Sequence, residues 1–167
     1  MSAKHAADLK KTYAKIAGGY EKTHQGDVDL KTLEKFIGYF SKGAKILDLG
    51  AGNGRDSRWF VDQGLDVTML DLSPEMLANA KKKVPEATAV QGDMTEMNFE
   101  DETFDGVWAR ASLLHITKEE GRQVVKKVFE IVKKRGVFFC MLKEGEGEKE
   151  VVDAKYGQEA KRFFSFY

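Results

Sequence analysis

The sequence predicts an α/β fold, a doubly wound and mostly parallel sheet with helices packed on it. Three observations predict it. From Lys45 onward, short apolar runs alternate with stretches whose apolar residues recur at helical spacing. The first of those runs ends in closely spaced glycines, as a strand does when it turns at once into a helix. At 167 residues, with 42% apolar and 11% aromatic content, the chain suits one domain with a real core.

Residues 1–41 read as helical, an N-terminal cap on the domain formed by residues 42–167. Asp27 or Asp29 can cap a helix whose apolar positions Leu30, Leu33, Phe36, Ile37 and Phe40 share a face. Residues 45–49 form the first strand, and the helix after it carries Trp59, Phe60 and Val61. Residues 65–70 are the second strand. Ser73 then N-caps a helix with Pro74 at its first position. Residues 87–91 and 104–109 read as further strands. Thr117 and Glu120 form a capping box for a helix with Val124, Val128, Ile131 and Val132 on one face. The apolar run 136–142 is expected to be a strand buried on both faces, with Cys140 buried and inert. Parallel strands joined through helices imply right-handed crossovers.

Composition excludes several classes. The 27 basic residues balance 27 acidic ones, so no bulk field holds a phosphate backbone and nucleic acid is disfavoured as a partner. One cysteine excludes a disulfide framework and a cysteine-based zinc site, and no metal site is expected. No apolar run reaches the length of a membrane span, and the first residues are too polar for a signal peptide. The expectation is a cytoplasmic protein.

The informative stretch is Asp48-Leu-Gly50-Ala51-Gly52-Asn-Gly54. Glycines after a strand let a ligand approach the backbone closely, and the next helix offers its N-terminus. A dinucleotide loop of the form Gly-x-Gly-x-x-Gly needs glycine at position 55, where Arg55 stands. Asp48 matters as well. A carboxylate beside a pyrophosphate is repelled, whereas beside an ammonium group it is attracted. S-adenosylmethionine has no phosphate and carries an ammonium and a sulfonium. The chemistry favours that cofactor.

With these residues the sequence resembles the class I S-adenosylmethionine-dependent methyltransferases, over roughly residues 40–145. The resemblance implies that Asp48 serves the methionine end of the cofactor, beside Gly50, Ala51, Gly52 and Gly54. It implies that Asp71, ending the second strand, accepts from both ribose hydroxyls. Leu72 and Met76 then border the nucleoside, and Gly92, Asp93 and Met94 form the turn that meets the adenine. Arg110 reaches the cofactor carboxylate, and Tyr13 and Tyr20 belong to an N-terminal lid. His115, in Ser-Leu-Leu-His-Ile, is the candidate general base or acceptor contact. Residues 133–136, Lys-Lys-Arg-Gly, replace the family's Pro-Gly turn and are expected to alter a surface turn only.

Each of these residues also has a plain structural reading. The glycines can make a bare turn, Asp71 and Asp93 can be turn formers, and Arg110 can form a surface ion pair. His115 can be satisfied by backbone, Tyr13 and Tyr20 can pack helices, and Trp59 and Trp108 can be core or flank.

The implied function is methyl transfer by in-line displacement to a small-molecule acceptor, in which alignment and water exclusion are the protein's main tasks. A tRNA-modifying methyltransferase and a non-catalytic cofactor-binding subunit acting through a partner protein are the alternatives. A nicotinamide-dependent oxidoreductase is more distant. The family fold has seven strands, but only five are legible here. The charged tail after Leu142, ending in Phe163-Phe-Ser-Phe-Tyr167, suits a short helix better than two strands. The expectation is that the C-terminal strands are missing from a truncated or longer chain. Failing that, the fifth strand is a bare edge that a homodimer covers.

Overall fold

Strand β1 (Lys45–Leu49) is the centre of a five-stranded parallel sheet. Around it lie β2 (Asp66–Asp71), β3 (Thr88–Gln91), β4 (Phe104–Arg110) and β5 (Val132–Met141), in the order β3-β2-β1-β4-β5. The computed structural model describes residues 3–23, 29–154, 156–157 and 159–167; the side chains of residues 3, 4, 20–23 and 153 also lie outside that description. Five helices accompany the sheet: α1 (Ala3–Thr23), α2 (Leu30–Ile37), α3 (Arg55–Asp62), α4 (Pro74–Lys83) and α5 (Lys118–Ile131).

Side-chain alternation along the strands builds two cores. Leu47, Leu49, Val107 and Ala109 pack with Val124, Val128 and Ile131 of α5. Ile46, Met69 and Trp108 point the other way, into Leu33 and Phe36 of α2, Phe60 of α3 and Leu77 of α4. Trp108 is 1% exposed and stacks on Phe139 with centroids 3.9 Å apart. The local start signals act as the sequence implies. The Asp29 side chain accepts from the Thr32 backbone N–H, while Asp27 lies outside the described residues. Ser73 accepts from the Met76 N–H with Pro74 inside the first turn, and Thr117 and Glu120 close a reciprocal box.

Three expectations need correction. Strand β5 follows α5 directly, so residues 133–136 do not form a separate surface turn. Phe104 pairs with Val132 and Gly106 with Val137, so the intervening residues bulge out of the ladder, with Arg135 at φ 68°. That strand is the edge of the sheet and only half-buried, rather than covered on both faces, and Cys140 is half-buried with it. Finally, the tail does hold two strands. They are β6 (Glu148–Asp153) and β7 (Ala160–Ser165), an antiparallel pair separate from the main sheet, which itself stops at β5 as expected. The pair reaches the domain through aromatic packing: Phe164 and Phe166 sit on Leu114, and Tyr156 and Ala160 on Ile16 of α1. Among the described residues no helix is long and apolar enough to cross a membrane.

Candidate active site

In a sheet of this order the chain reverses its direction of growth between β1 and β4, and their carboxyl ends splay apart into a crevice. Two adjoining clefts open there. One is bordered by Asp71, Met76, Met94, Ser112 and His115; the other by Asp48, Asn53, Arg55 and Asp56. Gly50, Gly52 and Arg110 line both. A more open groove runs between α1 and the β6–β7 pair, and Leu9 borders it and the first cleft alike.

The glycine loop is held by its own chain. Gly50 and Ala51 both donate their N–H groups to the Leu70 carbonyl, Gly52 donates to Asp71 Oδ2 at 2.7 Å, and Gly54 donates to the Ala51 carbonyl. Those donors are therefore not free to cradle a phosphate, as a nucleotide-binding loop requires. All three glycines have positive φ. At Gly54, the N-cap of α3, a Cβ would also meet the Ala80 Cβ at 2.9 Å.

Carboxylates and guanidinium groups share the walls. Asp48 is 3% exposed, accepts from Ser57 Oγ at 2.5 Å, and is pushed up to about 7 by burial and by the neighbouring Asp56 carboxylate. Asp71 Oδ1 accepts from the Ser73 N–H at 2.9 Å, and burial raises its carboxyl above the ordinary value. Backbone N–H groups of Ser73, Gly52 and Leu72 all bond this carboxylate, which leaves it about one lone-pair position for a ligand. Asp56 gathers three donors: Trp108 Nε1 at 2.9 Å, Arg55 Nε at 2.8 Å and Arg110 Nη1 at 3.4 Å. It thereby aims two guanidinium groups at the second cleft.

His115 lines the first cleft, but its ring is engaged on both sides. The Phe163 carbonyl can only accept, so Nδ1 donates to it at 2.9 Å, and Nε2 then accepts from the Tyr13 hydroxyl at 2.7 Å. Burial pushes its pKa down to about 4, so the ring is neutral. A neutral imidazole with its lone pair taken by a tyrosine is not set to remove a proton, which argues against the general-base assignment. Ser112 presents the opposite case: it is 7% exposed and its Oγ has no hydrogen-bond partner among the described residues. An unsatisfied buried hydroxyl costs roughly 1–3 kcal/mol.

Comparison with known proteins agrees with this geometry. Residues 46–136 match the family model described as a methyltransferase domain. The chain belongs to that family. It is 34% identical over 121 residues to Uncharacterized methyltransferase sll0829 of Synechocystis sp., covering 72% of this chain and 54% of that protein. Over 96 residues it is 36% identical to the Demethylmenaquinone methyltransferase of Renibacterium salmoninarum, covering 50% of this chain and 40% of that one. The chain thus spans about half the length of the curated relatives it matches. The solved DhpI–SAH complex superposes with a TM-score of 0.79 at 22% identity, covering 99% of this chain and 82% of that one. The fold is that of the class I methyltransferases.

Of the residues singled out in the sequence of this methyltransferase domain, Tyr13, Gly50, Gly52, Asp71, Met76, Met94, Arg110 and His115 come together around the first cleft, and Asp48 and Ala51 around the second. Gly54 starts α3 behind them. Leu72, Gly92 and Asp93 do not line either cleft; Asp93 caps the short turn Met94–Glu96 by accepting from Thr95. The Tyr20 side chain lies outside the described residues. Sequence reasoning missed Asp56, Ser112 and Leu9. Asp56 carried a signal, a second acidic residue directly behind the glycine loop. Among the described residues no cluster of His, Cys, Asp and Glu can hold a metal ion.

Proposed function

We propose that the chain binds S-adenosylmethionine across the two clefts and transfers its methyl group to a small-molecule acceptor. The observation that carries this reading is the glycine loop, whose N–H groups are engaged internally while carboxylates line the walls. That combination leaves no backbone N–H cradle for a pyrophosphate, while Asp48, Asp56 and Asp71 attract an ammonium or sulfonium group. When bound, the cofactor supplies a methyl group already activated by its sulfonium. The residues then have to orient and exclude water. Asp71 keeps an acceptor position for a ribose hydroxyl, and Arg110 and Arg55, aimed by Asp56, suit the carboxylate. Asp48 suits the ammonium group, and Met94, which lines the first cleft, suits the adenine side. Tyr13, and Tyr20 with it, belong to a helical roof, and His115 is a positioning residue that fastens Tyr13.

Calorimetric titration with S-adenosylmethionine, S-adenosylhomocysteine and NADH tests the cofactor reading. Binding of the first two and not the third is expected; the reverse sinks it. A methyl-transfer screen with tritiated cofactor against small alcohols, amines and quinols, with a tRNA arm, tests the acceptor class. Label found only in tRNA overturns the small-molecule reading.

The partner reading concerns the β5 edge. Its surroundings expose Phe129 (66%) and Met141 (37%), and the strand starts on Lys133, Lys134 and Arg135 and runs toward Glu144 and Glu146. Antiparallel pairing of two copies sets each basic end against the other's acidic end, so a second copy of this chain is the occupant proposed. Light scattering on the 167-residue chain is expected to give a dimer that Phe138→Lys dissociates. A monomer at high concentration overturns it.

A further inference from the structure

Ser112 stands where β4 has ended and the short turn Leu113–His115 begins. Its side chain lies against the first glycine of the loop: a Cβ built on Gly50 would come within 2.3 Å of Ser112 Cβ and 3.1 Å of its Oγ. Glycine at position 50 is therefore what lets Ser112 sit there. The contact is at the junction of the two clefts, because Gly50 and Arg110 border both.

The nearby protein groups that might satisfy the hydroxyl are already engaged. The Gly50 and Ala51 N–H groups go to the Leu70 carbonyl, and the His115 N–H goes to the Ser112 carbonyl. The His115 ring is held by Tyr13 and Phe163. Ser112 itself lines the first cleft. We propose that Ser112 is a ligand-binding residue whose hydroxyl bonds the amino-acid end of the cofactor, the ammonium or carboxylate common to S-adenosylmethionine and S-adenosylhomocysteine. This rests on the cofactor reading above. The amino-acid end is favoured over the nucleoside because Ser112 touches Gly50 beside Arg110, whereas Met76 reaches Gly52, to which Asp71 is bonded.

Titration of wild type and Ser112→Ala with S-adenosylhomocysteine and with 5′-methylthioadenosine, which lacks the amino-acid carbons, decides the matter. The variant is expected to bind S-adenosylhomocysteine about 10-fold more weakly and 5′-methylthioadenosine as wild type does. Its ligand-free melting temperature is expected to equal or exceed that of wild type, since it removes a buried group without a partner. Unchanged S-adenosylhomocysteine affinity overturns the proposal. An equal loss for both ligands, or a lower ligand-free melting temperature, overturns it as well, because the hydroxyl would then face the nucleoside or be satisfied within the protein. A wild-type chain that binds neither compound refutes the cofactor reading itself.

Discussion

Asp71 has two tasks at once. It anchors the loop through Gly52 and turns the chain through Ser73, and it lines the first cleft. Asp71→Ala is expected to weaken S-adenosylmethionine and S-adenosylhomocysteine by about 1.5–3 kcal/mol, roughly 10- to 100-fold, in calorimetry. Asp71→Asn, which keeps one acceptor oxygen, is expected to fall between the two. The other buried titrating residues oppose one another. His115 drops from 6.5 to about 4 on folding, so its contribution is full above pH 6.5 and is lost as pH falls toward 4. Asp48 rises from 3.8 to about 7, so its contribution is full below 3.8 and is lost as pH rises through 7. Between pH 4 and 6.5 the two trends cancel. Relative to wild type, urea midpoints of Asp48→Asn should therefore climb with pH across that range, and those of His115→Gln should decline. Each trend amounts to about 3 kcal/mol.

Elements were legible where their signals are local. Ser73 with Pro74, and Thr117 with Glu120, start helices by bonding backbone within three residues, and sequence spacing displays that directly. The alternating glycines and Asp71 were legible for the same reason. Contacts made across the fold were not. Nothing near Ser112 in sequence announces Gly50, and nothing near His115 announces both Tyr13 and Phe163. The run 136–142 states that its side chains prefer cover but does not say which element supplies it, so an edge strand reads as a central one. The roof helix α1 offers the test at this scale. It holds the cleft rim through Tyr13 to His115, His5 to the His115 carbonyl at 3.0 Å, and Thr12 to the Lys161 carbonyl at 3.1 Å. Tyr13→Phe leaves His115 Nε2 without its donor. Amide exchange in α1 is expected to quicken several-fold in that variant, with the five-stranded sheet unchanged. Unaltered exchange in α1 counts against the fastening role of Tyr13.

For the whole molecule, a ligand lying across both clefts touches β1, β2, β4 and α1 together, so its binding should stabilise the entire domain. S-adenosylhomocysteine at about 100 times its Kd is expected to add about 2.7 kcal/mol, seen as a single cooperative melting transition moving upward. A shift confined to part of the transition would mean that the roof and the sheet unfold separately. The two ends of the chain lie side by side, with Lys15 of α1 donating to the Glu159 carbonyl and Thr12 to Lys161. The His115 ring, from the middle of the chain, is fixed by a residue of the first helix and a residue of the last strand. Protein synthesis is vectorial, so the glycine loop and Asp71 leave the ribosome before Phe163 exists. A nascent chain therefore has its glycine loop first and holds an open cleft until β7 emerges, and only then can α1 be locked down over it.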